Sequence, residues 1–213
     1  MQSSDKSCRL ELVKIAQKLV ALGLKRGASG SVSARYGKCF LVTPAGVPVE
    51  DMSPDGMVAM DFSGAILGVG NPSSEWRFHC DILAARPEIG AVIYTQPRYA
   101  ASLACLSREI PMFHYTILAV AGGDSIRCAP YALFGSQTLS GLAIQALENR
   151  KACLLGNHGM IAIGHDITDA LAVAVEVEML CELYWTALQV GEPNILTESQ
   201  MQEALENFKS YAR

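Results

Sequence analysis

No apolar run in this sequence reaches the roughly 18 to 20 residues that a membrane-spanning helix needs. Residues 1 to 6 are polar and lack the basic and then apolar layout of a secretory signal. The seven cysteines contain no Cys-x-x-Cys spacing, and their odd number argues against a disulfide framework. These absences predict a cytoplasmic protein that does not act at a membrane.

The sequence also lacks a cluster of basic residues. The 17 Lys and Arg residues are scattered and the formal net charge is −4, so nucleic acid is not an expected partner. The glycine-containing stretch at residues 68–70 is too incomplete for a dinucleotide fingerprint. No linker or internal repeat divides the 213 residues, half of which are apolar, and we therefore expect one domain over residues 1–213.

Apolar spacing indicates an α/β fold. A helical pattern over residues 8–25 is followed by two strand pairs, at 31–34 with 40–43 and at 57–61 with 65–67, which we expect to be antiparallel. Strand and helix patterns then alternate. The later helices are predicted at 73–85, 98–106, 136–149, 166–190 and from 197 onward, and the later strands at 89–95, 125–129, 152–155 and 160–163.

Four residues at three places in the chain combine polar chemistry with a defined local structure. Alternation along the strand that ends at Gln96 places Tyr94 and Gln96 on one face. His158 lies in a tight turn between two apolar strands, and Glu75 lies in the expected first turn of a helix. Taken alone, each position is typical of ordinary structure: a hydrogen-bonded surface pair, a turn histidine bonded to backbone, and a carboxylate favoured by the helix dipole.

Taken together, several segments resemble the class II aldolase and adducin family. The most specific is Asn-Pro-Ser-Ser-Glu-Trp-Arg-Phe-His at residues 71–79. Further matching segments lie at residues 86–87, 90–93, 110–115, 121–126, 128–135 and 149–152. The resemblance covers nearly the whole chain, and it is strongest to the branch of the family that cleaves L-fuculose 1-phosphate.

This resemblance implies both a fold and a reaction. The fold is a single α/β domain with a central, mainly antiparallel sheet flanked by helices. The reaction is an aldolase-type cleavage of a ketose 1-phosphate to dihydroxyacetone phosphate and an aldehyde. Members assemble as a fourfold ring with active sites between subunits, so a homotetramer is expected. They hold Zn²⁺ with three histidines, two from a His-x-His strand and one from a later turn.

The chain departs from the family at this metal site. Tyr94 and Gln96 stand where the His-x-His pair is expected, and His158 matches the remaining ligand. Zinc prefers imidazole, thiolate or carboxylate, and a phenol with a pKa of about 10 must ionise before it binds a metal well. We therefore expect zinc binding to be weak or absent.

The resemblance also assigns roles to other side chains. Glu75 is the acid/base for the proton on the dihydroxyacetone phosphate half, and Tyr115 and Tyr211 are proton donors, with Tyr211 reaching a neighbouring subunit's pocket. Aromatic packing is the alternative for the tyrosines, and simple turn formation is the alternative for the small residues below. Phosphate binding is expected from backbone N–H groups and hydroxyls of Ser29, Gly30, Ser31, Ala45, Gly46, Ser73 and Ser74.

A second function remains open at this stage. The chain could be a catalytically inactive protein that binds a sugar phosphate, or an adducin-like interaction protein that retains only the fold. The presence of Glu75, Tyr115 and Tyr211 favours the enzyme, because a protein without the reaction has no mechanistic reason to keep three proton-handling groups.

Overall fold

The computed structural model describes residues 2 to 211, apart from the side chains of residues 2–4, 209 and 211. The helices are α1 (Gln2–Ala21), α2 (Trp76–Ala85), α3 (Arg98–Cys105), α4 (Thr116–Ala121), α5 (Gln137–Ala146), α6 (Ile167–Leu188) and α7 (Glu198–Tyr211). The strands are β1 (Ser31–Tyr36), β2 (Cys39–Val42), β3 (Val58–Asp61), β4 (Ala91–Thr95), β5 (Cys128–Ala129), β6 (Ala152–Leu155) and β7 (Gly159–Gly164). None of these helices is long and apolar enough to cross a bilayer.

The seven strands form one sheet in the order β3-β2-β1-β4-β7-β6-β5. Every neighbouring pair is antiparallel except β5 with β6, which is parallel. The expected α/β fold with a mainly antiparallel central sheet is therefore confirmed.

Apolar side chains project from both faces of this sheet, which explains why helices cover it on two sides. In β4, Ala91 and Ile93 join the larger apolar cluster with α1, α3, α4 and α6, whereas Val92 and Tyr94 join a second cluster with α2 and α5. Alternation along a strand separates the two sets, and the result is a three-layer arrangement. Helix α7 packs on the larger cluster through the buried Met201.

The structure differs from the sequence-based expectation in several elements, and the strand predicted at 125–129 is reduced to β5 (Cys128–Ala129). Helix α1 ends at Ala21 instead of residue 25, because Gly23 has a left-handed φ of +72° and the chain turns there. Residues 65–67 do not form a strand and contribute only an isolated bridge between Met60 and Ile66. The six-residue helix α4 was not expected, since it is too short to show a helical period.

Candidate active site

One pocket of about 330 Å³ lies at the end of the central strands where β4 ends and β1 begins, beside the turn between β6 and β7. Four of the residues selected from the sequence, Glu75, Tyr94, Gln96 and His158, surround it. The remaining lining residues are Ala28, Ser29, Gly30, Pro44, Ala45, Gly46, Ser73, Ser74 and Phe134.

Tyr94 and Gln96 form a hydrogen-bonded pair in this pocket. The Nε2 atom of Gln96 donates to the Oη atom of Tyr94 at 2.7 Å, and the Tyr94 ring packs edge-on against Phe78. Burial raises the pKa of Tyr94 to about 12, with a smaller increase from the charge of Glu75 and an opposing effect of the Gln96 hydrogen bond. The phenol is therefore neutral at physiological pH and keeps its own proton for donation.

Glu75 is buried at the base of helix α2. Its Oε2 atom accepts a hydrogen bond from the backbone N–H of Gly135 at 3.0 Å. Burial raises the pKa of the carboxyl above its usual value, while this hydrogen bond and the nearby His158 lower it. A carboxyl group whose pKa is shifted toward neutrality suits proton transfer.

The position of Glu75 relative to its helix differs from the expectation. Helix α2 begins at Trp76, because a turn closed by the bond from the Trp76 N–H to the Ser73 carbonyl at 2.9 Å precedes it. Glu75 is therefore the residue before the helix and not part of its first turn. Its side chain bonds to Gly135 and makes no capping bond to its own helix.

His158 is held on the opposite wall of the pocket. Its Nε2 atom lies 2.8 Å from the Ala132 carbonyl oxygen, and its ring stacks on Tyr131. A carbonyl can only accept, so Nε2 carries a proton, and the tautomer with this proton alone has its lone pair on Nδ1. The turn that presents the ring needs Asn157 at φ +59°, a conformation that asparagine tolerates.

The residues expected to bind phosphate are only partly available for it. Ala45 donates its N–H to the Asn71 carbonyl at 2.9 Å, and Ser73 donates its N–H to the Thr43 carbonyl at 3.0 Å. Ala45 therefore lines the pocket without a free donor, which corrects its expected role. The candidate donors that remain for phosphate are the Ser73 hydroxyl and the donor groups of Ser29, Gly30, Gly46 and Ser74.

Residues 28–30 line the pocket and form what we call the pocket loop. Ser31 directly follows this loop but does not line the pocket. Its hydroxyl lies 2.7 Å from the Nε2 atom of His79, and the Ser33 hydroxyl lies 2.7 Å from Nδ1 of the same ring. His79 is fully buried in α2 and thus ties β1 to the helix that follows Glu75. The Ser31 hydroxyl is committed to this bridge.

Replacing His79 by glutamine is expected to weaken the acid sensitivity of folding. Burial lowers the pKa of His79 to about 3 from an unfolded value near 6.5, so the unfolded chain binds the extra proton in this interval. The stability that the neutral His79 ring contributes is fully present above about pH 6.5 and is lost as the pH falls toward 3, by about 5 kcal/mol in total. Urea unfolding of the wild-type chain and of His79→Gln at several pH values measures the difference.

His165→Gln is the matched control for that experiment, because His165 is exposed. The control should keep the wild-type dependence on pH, and His79→Gln should be less stable at neutral pH but show a flatter curve. Equal pH slopes in the wild-type chain and in His79→Gln would contradict the assignment.

Of the two tyrosines predicted to donate protons, Tyr115 does not line the pocket of its own chain. The Tyr115 ring is half exposed and stacks on Phe208 of α7 at 5.6 Å. The side chain of Tyr211, the last residue of α7, lies outside the described residues. Tyr115 and the end of α7 therefore share a surface, and their catalytic roles stay predictions.

Besides Ala28 and Pro44, sequence reasoning missed Phe134 and Lys25 at this site. Phe134 lines the pocket although its side chain is 60% exposed. Lys25 lies beneath the pocket loop with only 3% of its surface exposed. No periodic pattern could have identified them, because an isolated lysine is normally solvent-facing and an aromatic residue is normally buried.

This geometry can be compared with known proteins. Residues 10–185 match the family model described as the Class II Aldolase and Adducin N-terminal domain. The chain belongs to the class II aldolase and adducin family. The expectation from the matching segments at residues 71–79 and elsewhere in the chain is thus confirmed.

Individual relatives in this family are similar over nearly their full length. The chain is 47% identical to 5-methylthioribulose-1-phosphate/5-deoxyribulose-1-phosphate aldolase of Rhodospirillum rubrum, covering 99% of this chain and 95% of the relative. It is 41% identical to L-fuculose phosphate aldolase of Escherichia coli strain K12, covering 94% of each. A solved structure of L-fuculose 1-phosphate aldolase superposes with a TM-score of 0.91 at 35% identity, covering 95% of this chain and 96% of that one.

Class II aldolases generally use a divalent metal such as Zn²⁺, but the donor set of this pocket does not fit that ion. Gln96 offers an amide, Tyr94 a phenol that stays protonated, and the Nε2 atom of His158 is engaged with a carbonyl. Only Glu75 and the Nδ1 atom of His158 have the donor character that zinc prefers. Between residues 2 and 211, no group of three or more His, Cys, Asp and Glu side chains is arranged to hold a metal ion.

Proposed function

We propose that this chain binds a ketose 1-phosphate in the pocket and cleaves it slowly to dihydroxyacetone phosphate and an aldehyde. The main support is that Glu75, Tyr94, Gln96 and His158 line the same pocket as the small-residue loops. Two of the similar aldolases, from their names, act on ketose 1-phosphates: 5-methylthioribulose 1-phosphate or 5-deoxyribulose 1-phosphate, and L-fuculose 1-phosphate. These substrates differ at the end that becomes the aldehyde, which leaves the sugar itself to experiment.

Glu75 is proposed to handle the proton of the dihydroxyacetone phosphate half. When the bond between C3 and C4 of the ketose breaks, the C4 hydroxyl gives its proton to solvent as the aldehyde carbonyl forms, and the electron pair of the broken bond enters an enediolate over C2 and C3. The protonated carboxyl of Glu75 then delivers its proton to C3, which completes dihydroxyacetone phosphate, and the Glu75 carboxylate regains a proton from solvent. The raised pKa of the buried carboxyl supports this role, because it increases the protonated fraction at neutral pH.

The rate is proposed to be low because of Tyr94 and Gln96. A bound divalent cation would act as a Lewis acid, which is worth several kcal/mol at the developing oxyanion. The neutral phenol and the amide offer hydrogen bonds to substrate oxygens but no such charge. The chain's zinc affinity and turnover should therefore both fall by orders of magnitude relative to an intact three-histidine site.

Dihydroxyacetone phosphate release is the direct test of the proposed activity. The chain would be incubated separately with 5-methylthioribulose 1-phosphate, 5-deoxyribulose 1-phosphate and L-fuculose 1-phosphate, and the product would be reduced enzymatically with NADH. We expect slow release with at least one substrate, lowered about 10²-fold to 10⁴-fold by Glu75→Gln. The exposed carboxylate of Glu88 provides the control, and Glu88→Gln should leave the rate unchanged.

A binding protein without turnover is the second candidate. The hydrogen bond between Gln96 and Tyr94 favours it, because it occupies atoms at positions where the family places metal ligands. Calorimetry with the same sugar phosphates separates the possibilities. Micromolar binding without product supports a sugar-phosphate-binding protein, and the absence of both supports an adducin-like interaction protein.

We also propose that the chain is a cytoplasmic homotetramer with pockets between its subunits. Tyr131, Leu133 and Phe134 expose about 60% of their surfaces at the pocket rim, and exposed apolar side chains of this kind commonly contact another protein surface. Such an assembly is needed if Tyr115 or Tyr211 is to reach substrate. Light scattering that shows a monomer would contradict this proposal.

A further inference from the structure

Lys25 is a buried cation directly behind the pocket loop. Its side chain is 3% exposed, and its Nζ atom donates to the carbonyl oxygens of Ala28 at 3.4 Å, of Ser29, and of Gly30 at 2.9 Å. An ammonium group has three donors, and here they meet three consecutive carbonyls of one loop. Within residues 2–211, no ion pair of Lys25 with a carboxylate is found.

These contacts determine the direction of the peptide groups in the loop. The C=O and N–H of a trans peptide point in opposite directions, and the described backbone contains no cis peptide. Because the carbonyls of Ala28 and Ser29 face Lys25, the N–H groups of Ser29 and Gly30 face away from it. Both residues line the pocket, so N–H groups that face away from Lys25 are available to a ligand there.

Gly30 makes the close approach of this loop possible. Its φ is +91°, and a Cβ atom built on it would lie 2.9 Å from the Tyr94 carbonyl oxygen and 3.5 Å from the Nζ atom of Lys25. A single layer of backbone therefore separates the ammonium from the pocket. Successive N–H groups backed by a positive charge form the type of concavity that binds anions in proteins.

Among residues 2–211, no ion pair with a carboxylate neutralises the positive charge of Lys25. Burial alone accounts for the lowering of the pKa of Lys25 to about 8, and no neighbouring charge contributes to that change. The group is thus mainly protonated at neutral pH. An ammonium of this kind, satisfied by dipoles only, gains from an anion placed on the other side of the loop.

We propose that Lys25 is the positioning residue for phosphate in this pocket: it turns the Ser29 and Gly30 N–H groups toward the ligand and supplies positive charge behind them. The inference builds on the proposed function, because the phosphate would belong to the ketose 1-phosphate. It is nevertheless testable with inorganic anions, which require no reaction.

Calorimetry with sulfate and with inorganic phosphate is the test. We expect Lys25→Met to weaken the affinity of both anions by about tenfold or more, since it removes both donors and charge. Lys25→Gln, which keeps an amide donor, should lie between. Lys151→Gln is the control, because it changes the net charge by the same amount. Lys151 precedes β6 at the end of the sheet opposite the pocket, and its Nζ atom lies 3.8 Å from the Oδ2 atom of Asp169. It should match the wild-type chain.

A pH series separates a charged positioning role from a purely structural one. Sulfate keeps its charge, so its affinity for the wild-type chain should fall as the pH rises through about 8 and Lys25 loses its proton, whereas Lys25→Gln should show no such fall. The variant leaves the other titratable groups around the pocket unchanged, namely Glu75, Tyr94 and His158. It also leaves the exposed Arg26 beside Lys25 unchanged. The difference between the two curves therefore reports Lys25, and it remains informative if Lys25→Met fails to fold.

Two results would overturn the inference. One is the absence of sulfate and phosphate binding by the wild-type chain at millimolar concentrations, and the other is equal affinity in the wild-type chain and in folded Lys25→Gln at all pH values. Anion binding that depends on Lys25 but is not accompanied by product release would retain this inference and reject the aldolase activity. Product release together with anion binding that does not depend on Lys25 would support the aldolase activity and reject this inference.

Discussion

Replacing Tyr94 and Gln96 together by histidine should give a chain that binds Zn²⁺ tightly and releases dihydroxyacetone phosphate at least about 100-fold faster. The two side chains already line the pocket beside Glu75 and His158, so two imidazoles at these positions would complete a set of three. Tight binding also requires His158 to use Nδ1 or to release the Ala132 carbonyl. Metal analysis after dialysis and the product assay measure the two effects.

The single substitutions and a third variant control this experiment. Tyr94→His or Gln96→His alone supplies only two imidazoles, so each should restore little of the gain. Adding His158→Asn to the double variant should remove zinc again. A double variant that binds zinc without turnover would favour a binding protein. No turnover with zinc, manganese or cobalt, in either the wild-type chain or the double variant, would reject the aldolase proposal.

Gly159→Ala should produce a large loss of stability, about 2 to 4 kcal/mol. Gly159 follows His158 at a φ of +156°, and a Cβ built there would overlap the Thr95 carbonyl oxygen and lie 3.2 Å from the Gln96 Cα atom. These are backbone atoms at the end of β4, which cannot move without disturbing the central strand. Urea unfolding measures the loss, and the turn carrying His158 should shift with it.

Gly141→Ala is the matched control for this substitution. Gly141 lies inside α5, and a Cβ atom there has no neighbour within 4 Å. Alanine should therefore raise stability by about 0.5 to 1 kcal/mol, because it lowers the conformational entropy of the unfolded chain. If Gly159→Ala were as stable as Gly141→Ala, the proposed close packing between the turn and β4 would be wrong.

The parts of the site that follow from local periodicity could be predicted. Alternation along β4 places Tyr94 and Gln96 in the pocket, and the intervening Thr95 bonds on the other side to the Leu24 carbonyl. Likewise, the helix predicted from residue 197 onward is present, and Thr197 and Gln200 cap its start with reciprocal bonds at 2.9 Å and 3.3 Å. Each of these features depends on residues close together in the chain.

The parts that depend on distant contacts could not be predicted. The burial of Lys25 depends on how the loop after α1 packs beside β4, and the commitment of the Ala45 N–H depends on Asn71 in another loop. The bond between Glu75 and Gly135 joins segments that lie 60 residues apart. The spacing of apolar residues along the sequence does not indicate such pairs, and the family resemblance identifies positions but not their hydrogen-bond partners.

The hydrogen bond between Gln96 and Tyr94 also bears on the choice of inhibitors for this pocket. Hydroxamates and other chelating compounds gain much of their affinity from a bound metal ion, which the amide and the neutral phenol do not suit. A phosphorylated ketone whose head group only donates and accepts hydrogen bonds would match these side chains better. Head-group chemistry would therefore distinguish this chain from family members whose three histidines are intact.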